Sequence, residues 1–272
     1  MIKIQKIIKY FAISIAILLT VNIISMIMFG IVTIGKIFDN KKENMDNLLE
    51  LKITQNIKNI DIDIKTSNII IKEGSSFNIE TNNEYIKIKE NNNKLNINEE
   101  NHNIFKNNNS NLIIYIPTNY NLDETTIANG AGKINIENLI TNKLELELGA
   151  GKVDINQLTV LQKAEIEGGA GEIDITNASI HNLDLDIGVG KVTIKSSLRG
   201  NNQINAGIGE LNLNLIGTLE DYKIILENGI GTATLNNEKI KPNTDYGNGL
   251  NLIDIEGGIG AIKINLEKNN TL

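Results

Sequence analysis

A Gly-x-Gly motif flanked by alternating apolar and polar residues recurs seven times between residues 130 and 260, and this repeat constrains the fold more than any other feature of the chain. The steps between successive motifs are 19, 20, 19, 19, 22 and 29 residues. Such a unit is too short for a propeller blade and lacks the helix of a leucine-rich repeat, whereas it matches one coil of a β-solenoid. We therefore expect a structural turn at each motif, formed by Gly130, Gly132, Gly149, Gly151, Gly169, Gly171, Gly188, Gly190, Gly207, Gly209, Gly229, Gly231, Gly258 and Gly260.

Apolar and polar residues alternate on both sides of each motif, which predicts two short strands per coil with one buried face. Before Gly149, for example, Leu146 and Leu148 alternate with Glu145 and Glu147. Two positions are aliphatic in every copy, and we expect their side chains to stack in chain order at about 4.8 Å per coil. The position three before the first glycine holds Ile127, Leu146, Ile166, Leu185, Ile204, Leu226 and Ile255. The position four after the second glycine holds Ile136, Ile155, Ile175, Ile194, Leu213, Leu235 and Ile264.

The predicted fold is all-β: a single-chain β-solenoid, expected to be a right-handed β-helix with about 20 residues per coil, preceded by one N-terminal transmembrane helix. Irregularly spaced strand-like segments upstream of the repeats are interpreted as the first, degenerate coils. They lie at residues 60–64, 69–71, 85–89, 95–98 and 112–116, with loop tips at 91–93 and 107–109. The solenoid domain is therefore placed at residues 53–267, with the Gly-x-Gly repeats starting near residue 126.

The segment Ile114–Pro117 and the first repeat, Asn129–Ile136, resemble the bacterial "putative adhesin" β-strand-repeat family. Members of that family carry a strand ending in Pro and then serial Gly-Ser-Gly-Asp-like corners. The resemblance covers about residues 53–267 and implies a β-solenoid of largely unknown function. Many members are attached to the membrane by one N-terminal helix, and some are linked to cell-envelope stress. In this chain Ala, Val or Ile replaces the usual Ser, and the family supplies no catalytic residues to carry over.

An uncharged segment from Tyr10 to Gly35 predicts a membrane anchor. As a helix it would extend about 39 Å, enough to cross a hydrocarbon core of about 30 Å. Basic residues precede it and no small-x-small cleavage site follows, so we expect an uncleaved signal anchor with the N terminus inside. The resulting organisation is a cytoplasmic tail at 1–9, a transmembrane signal anchor at 10–38 and a juxtamembrane stalk at 39–52. The chain is then a single-pass cell-membrane protein whose C-terminal domain is extracytoplasmic.

The charge balance limits the classes of partner. The predicted cytoplasmic tail contains three of the 26 basic residues. The chain beyond the membrane span therefore has 23 basic and 33 acidic residues, a net charge of −10. Such a domain is a poor partner for nucleic acid or anionic wall polymers, and it is suited to divalent cations or cationic peptides. The absence of Cys excludes thiolate metal sites and cysteine nucleophiles.

Six carboxylates are predicted to occupy two outward columns over three consecutive coils: Glu145, Glu147, Glu165, Glu167, Asp184 and Asp186. Stacked like charges repel each other, so a purely structural face would favour mixed signs. Three readings stay open for this face: a solvated surface, weak binding of Ca²⁺ or Mg²⁺ through oxygen ligands, or docking of a cationic protein or peptide. No other cofactor is predicted.

The glycine motifs do not predict nucleotide binding, because none continues into a P-loop or a helix. We expect a protein that acts by binding rather than as an enzyme, in an adhesin-like or envelope-stress role, with no catalytic residues. One alternative is a structural scaffold that polymerises through the solenoid ends. Another is a carbohydrate-active enzyme on a β-helix, although Arg199 is the sole Arg and there is no Trp for sugar stacking.

Overall fold

A computed structural model describes residues 49–53, 56–100, 110–227 and 229–268, and in that part the chain is all-β. Its strands join in one sheet that surrounds an aliphatic core. The predicted anchor and most of the predicted stalk lie outside the described residues, among which no helix has the length and apolar character needed to cross a membrane. The strands are β1 (Leu49–Lys52), β2 (Asn59–Ile64), β3 (Asn68–Gly74), β4 (Asn78–Thr81), β5 (Ile86–Asn91), β6 (Lys94–Glu99), β7 (Asn111–Pro117), β8 (Asn121–Ile136), β9 (Leu139–Ile155), β10 (Leu158–His181), β11 (Leu183–Arg199), β12 (Asn201–Ile216), β13 (Tyr222–Glu227), β14 (Ile230–Leu235), β15 (Glu238–Lys239) and β16 (Asn251–Glu267).

The middle of the domain is a stack of parallel coils, β8 to β12, each about 20 residues after the previous one. Ile127 pairs with Leu146 and Leu146 pairs with Ile166, so the repeats are in register as predicted. Every member of the two predicted aliphatic columns is buried, and the most exposed is Leu235 at 8%. Neighbouring coils therefore stabilise each other by burying aliphatic side chains that no single coil could cover. The handedness of the coils stays a prediction.

The corner at each motif requires glycine because adjacent coils touch there through their backbones. Gly151 has φ +141°, and a Cβ atom built on it would collide with the carbonyl oxygen of Gly132. Gly190 is in the same position relative to Gly171, with φ +152°. A side chain at either position would meet both backbone strain and a steric clash.

The C-terminal coils do not stack in chain order, so the predicted order is wrong at this end. Strand β16 pairs with β12 on one side and with β13 and β14 on the other. Gly209 is therefore followed in space by Gly260 and then by Gly231. The reason is a chain reversal: β15 runs antiparallel to β14, and Tyr246 forms an antiparallel bridge with Ile224. The chain returns along the edge of the last coil, and β16 then fills the gap beside β12.

At the N-terminal end, too, the chain reverses and antiparallel strands lie outside the last parallel coil. Strands β2 and β3 pair in parallel with β8, and β6 and β7 add the next parallel coil. Strands β5 and β4, which come earlier in the chain than β6, lie outside this coil and run antiparallel to it. Residues Leu49–Lys52, assigned above to the stalk, form β1 and pair antiparallel with β4. Both ends of the parallel stack thus finish in antiparallel strands.

The corner between β2 and β3, which lies beside the first glycine corner, contains no glycine and is held by a buried carboxylate. The backbone at Lys65 and Ser67 contacts the glycines of the first motif. Glu99, 3% exposed, accepts hydrogen bonds from the backbone N–H groups of Lys65 and Thr66 at 2.7 and 2.9 Å. It also accepts from Asn83 Nδ2 at 2.7 Å and from Ser67 Oγ at 3.2 Å. Burial would raise the pKa of Glu99, but these hydrogen bonds outweigh it and hold the pKa below its ordinary value.

Candidate functional site

The six predicted carboxylates lie in register on one outward face. Glu145, Glu165 and Asp184 pair across β9, β10 and β11 as one column, called here the first column. The second column consists of the paired residues Glu147, Glu167 and Asp186, which lie two residues before the first glycine of each corner. Because paired strands are about 4.8 Å apart, adjacent carboxylates in a column are near neighbours.

Both columns continue beyond the residues predicted from the sequence. After the neutral pair Gln203 and Asn205 on β12, β16 adds Asp254 to the first column and Glu256 to the second. Glu227 on β13 pairs with Glu256 and ends the second column. These three carboxylates are not among the residues predicted from the sequence, although Glu227 and Glu256 stand at the same offset from a glycine motif as Glu147.

A groove runs along the second column. It is lined by Glu147, Glu167 and Asp186, by Leu148, and by glycines at positions 149, 168, 169 and 188. The groove is open to solvent and encloses about 400 Å³. Glycine corners have no side chains to fill this space, so an approaching ligand can reach both the carboxylates and the backbone. We call this feature the acidic groove.

The charges of the acidic groove are not balanced from within the fold. Among the described residues, Glu147, Glu167 and Asp186 take part in no ion pair, while Glu165 of the first column is paired with Lys163. Loss of hydration raises the pKa of Glu145, and repulsion from Glu147 and Glu165 raises it further. Glu145 therefore lies among like charges whose repulsion a bound positive charge would offset.

The face on the other side of the glycine corners is built differently. Lys133 and Lys152 both contact Asp154, at 3.2 and 3.1 Å, and Lys152 lies 3.6 Å from Glu172. Strands of the same coils therefore carry mixed charges on one side of the corner and uncompensated carboxylates on the other. The contrast shows that the architecture itself does not require an acidic surface.

The arrangement suits a row of positive charges better than a single metal ion. In the part of the chain that the structure describes, no three His, Asp or Glu side chains come together in a way that could hold a metal. The carboxylates follow one another along the stack, whereas Ca²⁺ takes six to eight oxygen ligands around one point. Binding of Ca²⁺ or Mg²⁺ by the six predicted residues stays a prediction.

Comparison with known proteins agrees with the resemblance seen in the sequence. The model of the family described as Toastrack DUF4097 matches residues 57–248. A comparison with curated proteins gives no match.

Crystal structures similar to this chain include those of three bacterial proteins. A "putative cell adhesion protein" of Clostridium sporogenes is 15% identical with a TM-score of 0.41, over 81% of this chain and 99% of that one. A "putative adhesin" of Bacteroides fragilis is 14% identical with a TM-score of 0.35, over 83% and 100%. Another from Parabacteroides merdae is 15% identical with a TM-score of 0.33, over 84% and 99%.

Proposed function

The chain belongs to the Toastrack DUF4097 family, and from this premise we propose that it is an interaction module that binds cationic segments of a partner along the acidic groove. One observation carries the proposal: Glu147, Glu167 and Asp186 lie in register along a groove that glycines also line, and they take part in no ion pair among the described residues. A partner with several Lys or Arg side chains would meet one carboxylate per coil. Electrostatic complementarity of this kind gives specificity and fast association.

The affinity for such a partner should be modest. The carboxylates of the acidic groove are exposed, and salt screens exposed charges over about 8 Å at physiological ionic strength. Pairs of exposed charges contribute only up to about 1 kcal/mol each. Binding should therefore weaken as salt is added, and a useful affinity requires contact with several coils at once.

The proposed place of this module is the outer face of the cell membrane, in an adhesin-like or envelope-stress role. The uncharged segment from Tyr10 to Gly35 and the lysines before it support this placement. The anchor would hold the acidic domain where positively charged chains approach from outside.

Binding fits the domain better than either alternative function. The described ends of the stack finish in antiparallel strands, so a second molecule could not simply continue the parallel coils, as end-to-end polymerisation would require. For catalysis on glycans, the carboxylates would have to flank a scissile bond. Here they stand in two parallel columns, one pair per coil.

The test is a titration of the full chain in nonionic detergent with pentalysine, at low and at physiological salt. The groove variant is Glu147→Gln, Glu167→Gln, Asp186→Asn, which removes three charges and keeps the side-chain shapes. The matched control is Asp154→Asn, Glu172→Gln, Asp174→Asn, which removes three charges from the other side of the corners. We expect the wild type and the control to bind pentalysine, with affinity falling as salt rises, and the groove variant to lose most of the binding.

Superimposed pentalysine titrations of the wild type and the groove variant at low salt would contradict the proposal. Titration with CaCl₂ and with MgCl₂ distinguishes binding of a metal ion from binding of a cationic peptide. We expect either salt to compete with pentalysine only as strongly as its ionic strength dictates. Saturable Ca²⁺ binding that the groove variant loses would assign the face to a metal ion instead.

A further inference from the structure

The side chain of the middle residue in each glycine corner becomes larger from one end of the stack to the other. In spatial order the corners carry Ala131, Ala150, Ala170, Val189, Ile208, Ile259 and Ile230. The last four form a continuous row of larger aliphatic side chains, called here the aliphatic ridge. Ile259 is 47% exposed and Ile230 is 73% exposed, while Val189 and Ile208 are half-buried.

The turns themselves do not need these large side chains. Alanine occupies the same position in the first three corners, which pair in the same register. Among the described residues, the buried core and the side chains packed against it include none of the four ridge residues. Exposed aliphatic surface loses the roughly 25 cal/mol per Å² that burial would yield, and contiguous exposed apolar surface is typical of binding sites.

The aliphatic ridge has an acidic border on the side of the second column. Glu256 and Glu227 precede Ile259 and Ile230 by three residues, a separation of about 10 Å along an extended strand. The other border, two residues after the ridge, holds Lys191 and Glu210 in the first two coils and the uncharged pair Ala261 and Thr232 in the last two. The second column of carboxylates thus continues directly alongside the ridge.

We infer that the aliphatic ridge binds the apolar side chains of the same ligand whose cations occupy the acidic groove, so that the ligand is a cationic amphipathic peptide. This inference rests on the proposed function and defines the ligand class more narrowly. The carboxylates beside the ridge select against an anionic lipid surface, which they would repel. They also disfavour a second copy of the chain, whose own ridge carries the same negative border.

The test compares two probe peptides of equal length and charge, one alternating Lys with Leu and the other alternating Lys with Ser. Each is titrated into the full chain in nonionic detergent, with binding to empty micelles subtracted. The ridge variant is Ile259→Thr, Ile230→Thr, which keeps β-branching on the strands. The matched control is Ile140→Thr, Leu161→Thr, which removes two aliphatic side chains away from the glycine corners.

We expect the wild type and the control to bind the Lys–Leu peptide at least about tenfold more tightly than the Lys–Ser peptide, since two aliphatic side chains become covered. The ridge variant should bind both peptides with nearly the affinity that the wild type has for Lys–Ser. Equal wild-type affinity for the two probes, or an unchanged preference in the ridge variant, overturns the inference while leaving the acidic groove in place. Failure of both peptides to bind overturns the proposed function itself.

Sedimentation equilibrium of the same proteins tests whether a second copy of the chain occupies the aliphatic ridge instead of a peptide. We expect the wild type and the ridge variant to have the same molecular mass over the accessible concentration range. A dimer that forms in the wild type and disappears in the ridge variant would assign the ridge to self-association and overturn the inference.

Discussion

Glu99 Oε2 accepts the backbone N–H of Lys65 at 2.7 Å, although the two residues are 34 positions apart in the chain. The same carboxylate is bonded to Thr66 and Asn83, so one buried side chain satisfies several donors in the corner that lacks glycine. In Glu99→Gln, the new amide NH₂ would face these donors. We expect this change to lower the free energy of unfolding by roughly 1–3 kcal/mol, measured by urea denaturation at pH 7.

The pH dependence of stability should report the same contacts. Because the pKa of Glu99 is lowered in the folded state, its ionised form stabilises the fold. That contribution is fully present above the ordinary value of 4.5 and is lost as the pH falls through the folded-state pKa. The wild type should therefore lose stability more steeply than Glu99→Gln below pH 4.5. Parallel pH profiles for the two proteins would show that the carboxylate is not held in this way.

Gly151→Ala should destabilise the stack in the middle. The added Cβ meets the carbonyl oxygen of Gly132 and forces a non-glycine residue to φ +141°. We expect a loss of more than about 2 kcal/mol in the free energy of unfolding, because both strain and steric clash contribute. Ala150→Ser, one residue away and half-buried, should stay within about 0.5 kcal/mol of the wild type. A similar loss in both variants would argue against backbone contact at the corners.

A new charge should lower stability strongly on the buried side of a strand and only slightly on its exposed side. Ile166 is fully buried, and Ile166→Asp places an unpaired carboxylate in the core, so we expect a loss of about 3–5 kcal/mol in the free energy of unfolding. Its neighbour Glu167 is exposed, and Glu167→Lys should change stability by only about 0.5 kcal/mol. Equally mild effects of the two changes in urea would contradict the assignment of Ile166 to the buried side and Glu167 to the exposed side.

The carboxylate columns should destabilise the free domain at neutral pH. The pKa of Glu145 is raised by loss of hydration and by its acidic neighbours, so the folded state favours the protonated form and gains stability as the pH falls towards 4.5. The groove variant should melt at a higher temperature than the wild type at low salt, with a gap that closes on adding NaCl. A gap that is independent of salt would point to a cause other than charge repulsion.

External protease should test the membrane topology. If the segment 10–38 is an anchor with the N terminus inside, protease added to intact, wall-stripped cells should remove the domain that follows residue 40. An epitope tag placed before Lys3 should stay protected until the membrane is permeabilised. Full protection of the domain under conditions that cleave a known surface protein would reverse the orientation.

Local patterns in the sequence predict much of this fold. Strands β2, β3, β6 and β7 were predictable to within a few residues, because alternation marks which side chains are buried. The reversed coil order at the C-terminal end was not, since Gly231 and Gly260 belong to the same motif and look equivalent in the sequence. The longer steps of 22 and 29 residues were the available sign that the chain leaves the regular path there.

Part of the candidate site was also predictable from local patterns in the sequence. Placement of Glu147 and Glu167 on one outward column followed from period-two alternation and from the spacing of the motifs. The neighbourhood of Glu256 and Glu227 depends on which coils are adjacent, so only the structure could reveal it. The aliphatic ridge was visible as the residue that replaces Ser between the glycines, but its continuity depends on the same coil order.

The antiparallel strands at both ends affect how this domain can change in length. Reversals of the chain build the ends, whereas the middle is built by repetition, so whole units can be gained or lost only in the middle. Duplicating one 19-residue unit between β9 and β11 would separate the ends by about 4.8 Å more and would leave their strand pairing unaltered. Each such duplication would also lengthen the acidic groove by one step. Tandem duplication in the gene can therefore adjust the length of the proposed binding surface without redesigning the fold.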